Sequence, residues 1–343
     1  MAHLNWSMAM AATAAIATAH ASSPSLIKDA RLLMGTLCEV QVYADDPSAA
    51  RTAAAAALDA MARADALLSN YRPQSELSAM NRQAARAPFH ASAELFDFVN
   101  RCAGYHRLTD GAFDPTVGPL VRAWGFMTPH PARPSDAAIA DAKVRSGFDN
   151  VTLDAGARTI AYRTDGVEID PGGIGKGYAV DKAVEVLRQR GIQSALVSAG
   201  GSTLYAIGAP PGRPAWNIAV KNPTDPAKPF ALVSLRDTSL STSGVSERAV
   251  QAGEHRYAHV FDPRAGDPVE GMCQATVVAP TGTASDALTK AAFVLPREAV
   301  RRLFRDQDDV HALRIEGDCD RAHTIWATPW SSGVFVRAGR ALG

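Results

Sequence analysis

The residues best placed to do chemistry lie in Glu168-Ile169-Asp170-Pro171-Gly172-Gly173-Ile174-Gly175-Lys176-Gly177-Tyr178, where a strand-like run enters a glycine turn and then a helix start. Backbone N–H groups and the dipole at such a start favour an anion such as a phosphate, and Lys176 adds a charge. The glycines also let backbone carbonyls approach a ligand or metal without Cβ interference. Gly111-Ala112-Phe113-Asp114-Pro115-Thr116 sets an aromatic beside an acid, which suits ring stacking plus a polar contact; an ordinary turn is the bland alternative. Ser198-Ala199-Gly200-Gly201-Ser202 and Ser241-Thr242-Ser243-Gly244 are further polar breaks. His259, with Asp262 three residues on, could be a base with an acid partner or a histidine satisfied in the core. Asp286 opens an apolar run, as a first-turn helix acid or as a hard oxygen ligand for Mg2+.

Several familiar signatures fail on spacing. A phosphate-binding P-loop needs Gly where Asp170 stands and Ser or Thr where Gly177 stands, and the third glycine of a dinucleotide fingerprint is replaced by Tyr178. His255 and His259 are four apart, but Arg256 stands where a zinc-protease helix has Glu. Cys38, Cys102, Cys273 and Cys319 form no C-x-x-C pair, which excludes zinc-finger, iron–sulfur and thioredoxin readings. A disulfide framework is not expected for a chain of this size.

These residues need elements to position them. The chain has 343 residues, 47% hydrophobic and 20% charged, as an ordinary globular protein does. Its 35 basic and 35 acidic residues cancel, so there is no electrostatic footprint for nucleic acid or an anionic membrane. No run approaches the ~20 apolar residues of a membrane span. Met8 to Ala21 is Ala-rich and uncharged and closes on Ala19-His20-Ala21, a small-x-small pattern like a signal-peptidase site, although Met1 to Ser7 lacks Lys and Arg. Export to the periplasm is the expectation, with a disordered tail in the cytoplasm as its alternative.

Asp46-Pro47 supplies an N-cap and a first-turn proline for a helix to Leu68. Ser92 caps a second, with Leu95, Phe98, Val99 and Cys102 on one face. Further helices are expected over Ser135–Ser146, Lys176–Arg190, Asp286–Val294 and Arg297–Arg305. Strands are expected at Leu37–Tyr43, Val151–Asp154, Thr159–Arg163, Val167–Asp170, Ala195–Ser198, Trp216–Lys221, Ala231–Arg236, His259–Phe261, Ala275–Ala279, His311–Ile315 and Gly333–Arg337. This mixed order predicts an α+β fold, with helices packed on a mixed, largely antiparallel sheet.

Taken in order, Met34-Gly35-Thr36, Tyr71 with Ser75-Glu76-Leu77-Ser78 and Asn81, Gly111 through Thr116, Asp170 through Asp181, Gly200-Gly201, Thr242-Ser243-Gly244, His259 through Gly266, and Asp286 resemble the FAD:protein FMN transferase (ApbE-type) family. Residues 1–30 are read from their composition as a signal-like or disordered segment, and the resemblance implies a flavin transferase domain over 31–343, which could divide into two interleaved subdomains. It implies an enzyme that takes FAD as substrate, usually with Mg2+, cleaves its pyrophosphate, attaches FMN through a phosphoester bond to a Thr or Ser of an acceptor protein and releases AMP. The acceptor would be a flavoprotein, typically of an electron-transfer system. By the same resemblance Met34, Tyr71, Ala112, Phe113, Asp114, Asp170, Lys176 and Val260 would line the FAD site. Gly173, through its carbonyl, and Asp286 would bind the metal, and His259 would be the base.

Three positions depart from the family pattern. Lys290 replaces the Thr ligand four residues after Asp286, so Thr289 could shift into that role, or the Lys ammonium could stand in for part of the metal's charge. Ser202 and Ala265 replace an acid and a Thr. The alternatives these departures leave open are an FAD pyrophosphatase giving FMN and AMP, and a non-catalytic flavin-binding or delivery protein.

Overall fold

The computed structural model describes residues 24–128, 130–223, 225, 227–245, 249–252, 255–258, 260–317, 319, 323–331, 333–337 and 340–342. Its centre is an eight-stranded sheet of β1 (Ser25–Leu33), β2 (Thr36–Ala44), β3 (Ala195–Ala199), β4 (Thr203–Ile207), β5 (Thr238–Gly244), β6 (Met272–Ala279), β7 (His311–Gly317) and β8 (His323–Ala327). The strands lie side by side in chain order, and every pairing is antiparallel. This agrees with the α+β, largely antiparallel expectation. β1 starts six residues before the boundary read at residue 31, and its exposed alternate positions explain why it resembled a tail. Met34 and Gly35 join β1 to β2 with positive φ at both residues, as a two-residue hairpin turn requires.

The eight helices of the described residues are α1 (Pro47–Leu68), α2 (Glu76–Gln83), α3 (Ala93–Leu108), α4 (Gly118–Ala123), α5 (Asp136–Val144), α6 (Gly175–Gln189), α7 (Gly282–Val294) and α8 (Arg297–Phe304). Period-2 side-chain alternation sends Ala195, Val197 and Ala199 of β3 towards α1 and α6, and Leu196 towards the opposite face. There a second antiparallel sheet, in the order Arg340–Leu342, Phe335–Arg337, Pro229–Leu235 and Trp216–Lys221, buries Trp216, Phe230, Val233 and Phe335. The layers are therefore helices, large sheet, small sheet. No helix among the described residues is long and apolar enough to cross a membrane.

Asp46 and Ser92 cap α1 and α3 as read from the sequence. Two expected strands differ. Residues 167–170 are extended but unpaired, because the Asn81 side chain takes the place of a neighbouring strand: its Nδ2 donates to the Ile169 carbonyl at 2.9 Å and its Oδ1 accepts the Ile169 N–H at 3.0 Å. Of the strand expected at His259–Phe261, His259 lies outside the described residues, Val260 is in no strand, and Phe261 opens the strand Phe261–Asp262, paired with Asp267–Pro268. Two cysteines that carried no signal by spacing, Cys273 in β6 and Cys319 after β7, form a disulfide with Cα atoms 5.3 Å apart.

Candidate functional site

A cleft opens where the loop after α3, the 167–174 segment, the Phe261–Asp262 hairpin and α7 converge on the N-terminus of α6. It brings together Tyr71, Ala112, Phe113, Asp114, Asp170, Gly173, Lys176 and Val260 of the residues singled out above. Met34 does not line it; its Cε sits behind the wall, 3.5 Å from where a Cβ on Gly175 would lie. Asp286 and Thr289 do not line it either, whereas Lys290 does. His259 lies outside the described residues, while Val260, the next residue in the chain, is on the cleft wall.

Each wall follows from local physics. Asp114 lies at the end of the α3 loop with its carboxylate saturated: Oδ1 accepts from Thr116 N–H at 2.7 Å and Thr116 Oγ1 at 2.6 Å, and Oδ2 from Phe148 N–H at 3.0 Å. His106 Nδ1 lies 3.3 Å from Oδ2, and the Asp114 carboxylate raises the imidazole pKa above its ordinary value. Asp114 therefore fastens the loop. Opposite, the Asn81 clamp on Ile169 and a 2.7 Å bond from the Asp170 N–H to the Pro115 carbonyl fix Asp170. Its Oδ1 accepts the Gly172 N–H at 2.6 Å, and burial pushes its carboxyl pKa up.

The apolar part is aromatic. Phe113 is buried edge-on against Tyr105, Phe126 packs edge-on to Phe261 at 5.7 Å, and Val121 continues the wall. Tyr71 stands at the mouth with 65% of its surface exposed, free to cover a ring. Sequence reasoning passed over Val121 and Phe126 as individual site residues; the signal was their place in the segment that follows the Phe113–Asp114 turn.

At the base of the cleft α6 and α7 exchange carboxylates. Asp181 of α6 accepts the Gly282 N–H at 2.6 Å, and the Thr283 N–H and hydroxyl at 2.9 and 2.5 Å, completing the N-terminus of α7. Asp286 of α7 accepts the Gly177 N–H of α6 at 2.9 Å. This exchange needs the two backbones in contact at Gly177 and Gly282. The other Asp286 oxygen accepts from Lys290 Nζ at 2.6 Å. Lys176 Nζ donates to Ser202 Oγ at 2.6 Å across the cleft floor.

Residues 34–314 match the ApbE family. The chain belongs to the ApbE family. It is 34% identical to an FAD:protein FMN transferase of Treponema pallidum, with 84% of each chain covered. It is 31% identical to one of Escherichia coli, covering 79% of this chain and 78% of the other. Among solved structures, the ApbE protein of Thermotoga maritima superposes with a TM-score of 0.80 at 29% identity, over 89% of this chain and 97% of the other. The flavin transferase ApbE of Vibrio cholerae gives 0.79 at 25% identity, over 90% and 98%.

Two of the three residues expected to hold Mg2+ in this ApbE family member, Asp286 and Thr289, have their side-chain oxygens engaged within the protein. Thr289 faces the sheet, donating to the Ser285 carbonyl of its own helix and, at 3.4 Å, to the Ser241 carbonyl of β5. Asp286 has one oxygen on a backbone N–H and the other on an ammonium.

Proposed function

We propose that this protein is an FAD:protein FMN transferase, taking FAD as substrate and passing its FMN half to a Thr or Ser hydroxyl of an acceptor flavoprotein. The observation that carries the reading is the meeting, in one cleft, of an aromatic wall with Lys176 at the start of α6 and Lys290 of α7. A flavin ring fits against Phe126, Phe261 and Tyr71, and a diphosphate fits against Lys176 and Lys290. The acceptor oxygen forms a bond to the FMN phosphorus, the bond from that phosphorus to the bridging oxygen breaks, and AMP leaves with that oxygen. His259, adjacent in the chain to the cleft residue Val260, takes the hydroxyl proton; an imidazole titrating near ~6.5 can do so at neutral pH. The donor set gives Mg2+ no place, so no step runs through it. An acceptor from an electron-transfer system suits the chemistry of a covalently held flavin.

The test is flavin fluorescence that stays with a Thr-containing acceptor domain after denaturation. The reading predicts it for wild type with FAD and its loss in His259→Gly. Free FMN and AMP formed without acceptor would favour the pyrophosphatase, and bound, intact FAD would favour a carrier. Localisation in the periplasm is part of the same proposal, supported by Ala19-His20-Ala21 and by the Cys273–Cys319 disulfide, a bond of oxidising compartments. Fusing residues 1–30 to a reporter active only in the periplasm tests it, and a silent reporter refutes it.

A further inference from the structure

We propose that Lys290 is a built-in cation of the cleft, which holds the FAD diphosphate together with Lys176 in the space a divalent ion would need, so that flavin binding is metal-independent. This rests on the flavin reading above. The Lys290 side chain runs between Gly173 and Asp286: its Cγ and Cε lie 3.5 and 3.8 Å from where a Cβ on Gly173 would be, and its Nζ is 2.6 Å from Asp286 Oδ1. An ion on Asp286 Oδ1 would sit about 2.1 Å from that oxygen, where the Lys290 ammonium, 2.6 Å from it, already lies.

Electrostatics gives the same answer. The Asp286 side chain is 1% exposed, and a carboxylate so buried is costly without a partner. Lys290 supplies one from the next turn of the helix, in the favourable order with the acid on the N-terminal side. The two ends of the pair differ in access: Lys290, at 16% exposure, lines the cleft, and Asp286 does not. A ligand entering the cleft therefore meets the Lys290 side chain and not the Asp286 carboxylate. Lys176 bonds to a neutral hydroxyl on Ser202, so its charge is not cancelled there. Lys176 contributes a full charge, and Lys290 an ammonium shared with Asp286, to the two negative charges of a diphosphate diester. Asp286, held by Lys290 and the Gly177 N–H, is a positioning residue in this arrangement.

The experiment measures FAD affinity by fluorescence quenching in EDTA and in millimolar Mg2+, and Mn2+ binding by electron paramagnetic resonance, on wild type, Lys290→Thr and Lys290→Met, with melting curves for each. Wild type is expected to bind FAD equally in both buffers and to hold no Mn2+. Lys290→Met should weaken FAD binding about tenfold in either buffer, corresponding to about 1.4 kcal/mol. Lys290→Thr vacates the space and adds an oxygen donor, so it should gain an Mn2+ signal and bind FAD tightly only with Mg2+. Stoichiometric Mn2+ on wild type, or FAD binding lost in EDTA, overturns the proposal even if neither variant folds. FAD that fails to bind wild type in both buffers would instead remove the flavin reading itself.

Discussion

Helices α1 and α7 both pack against α6, and they are held there by different balances of apolar and polar contact. α1 buries Ala50, Ala53, Ala54, Ala57, Leu58, Ala60, Met61, Ala64 and Leu68, a face that needs mainly volume, with Asp65 the single buried polar residue, paired to Arg72. α7 buries Ala287, Leu288, Ala291, Ala292 and Phe293 as well, but adds four buried polar side chains, Thr283, Ser285, Asp286 and Thr289. Ser285 Oγ lies 2.8 Å from the hydroxyls of both Ser239 and Ser241, and Asp181 and Asp286 bind the two helix starts to each other. Apolar packing tolerates small shifts, whereas hydrogen bonds fix position and orientation. The directional fastening is found at the helix that aims a charge into the cleft; the apolar one forms the wall behind it.

The largest effect is expected where the two helix starts touch. A Cβ at Gly177 would lie 2.0 Å from the Gly282 carbonyl oxygen, a backbone atom that cannot swing aside. Gly177→Ala should cost on the order of 4 kcal/mol or more, read as loss of soluble protein or a collapsed melting temperature. Leu58→Ala in α1 should cost about 3 kcal/mol in urea denaturation and leave FAD affinity unchanged, since a cavity there relaxes away from the cleft. Ser285→Ala should cost about 1–2 kcal/mol and also weaken FAD binding, because the hydroxyls of Ser239 and Ser241 lose a buried partner and α7 loses its register. If Leu58→Ala lowers FAD affinity as much as Ser285→Ala does, the contrast between the helices fails.

The smallest effect concerns pH, at the other polar fastening of the cleft. His106 has its pKa raised by Asp114 in the folded state, so its stabilising share is fully present below the unfolded value near 6.5. That share is lost as pH rises through the higher folded value. Melting temperature should therefore decline over that window, and His106→Gln should flatten the slope.

The same contrast explains what the sequence made legible. α1 and α3 carry their caps and apolar periodicity in plain view, as Asp46-Pro47 and Ser92 with Leu95, Phe98, Val99 and Cys102 do. Strand β5, Thr-Ser-Leu-Ser-Thr-Ser-Gly, looks like a polar break but is buried mid-sheet, because its hydroxyls pair with neighbouring hydroxyls across β4, β6 and α7. The site segments at 111–116 and 170–176 were legible from glycine and acid spacing, and they do meet at the cleft. The direction of Thr289 was not, since it depends on which residue of α7 shares a face with Asp286. Four residues on, Lys290 lies about 40° round the helix from Asp286 and three residues on, Thr289 lies about 60° the other way, which turns it to the sheet. Cys273 and Cys319 are 46 residues apart, and only the β6–β7 pairing brings them together.

The most direct measurement of the central claim is the ratio of AMP released to acceptor flavinylated, counted by mass spectrometry in one reaction of the wild-type protein with FAD and a Thr-containing acceptor domain. FMN transfer predicts one AMP for each flavinylated acceptor and none without acceptor. AMP produced in the absence of acceptor, or flavin attached without AMP, would contradict it.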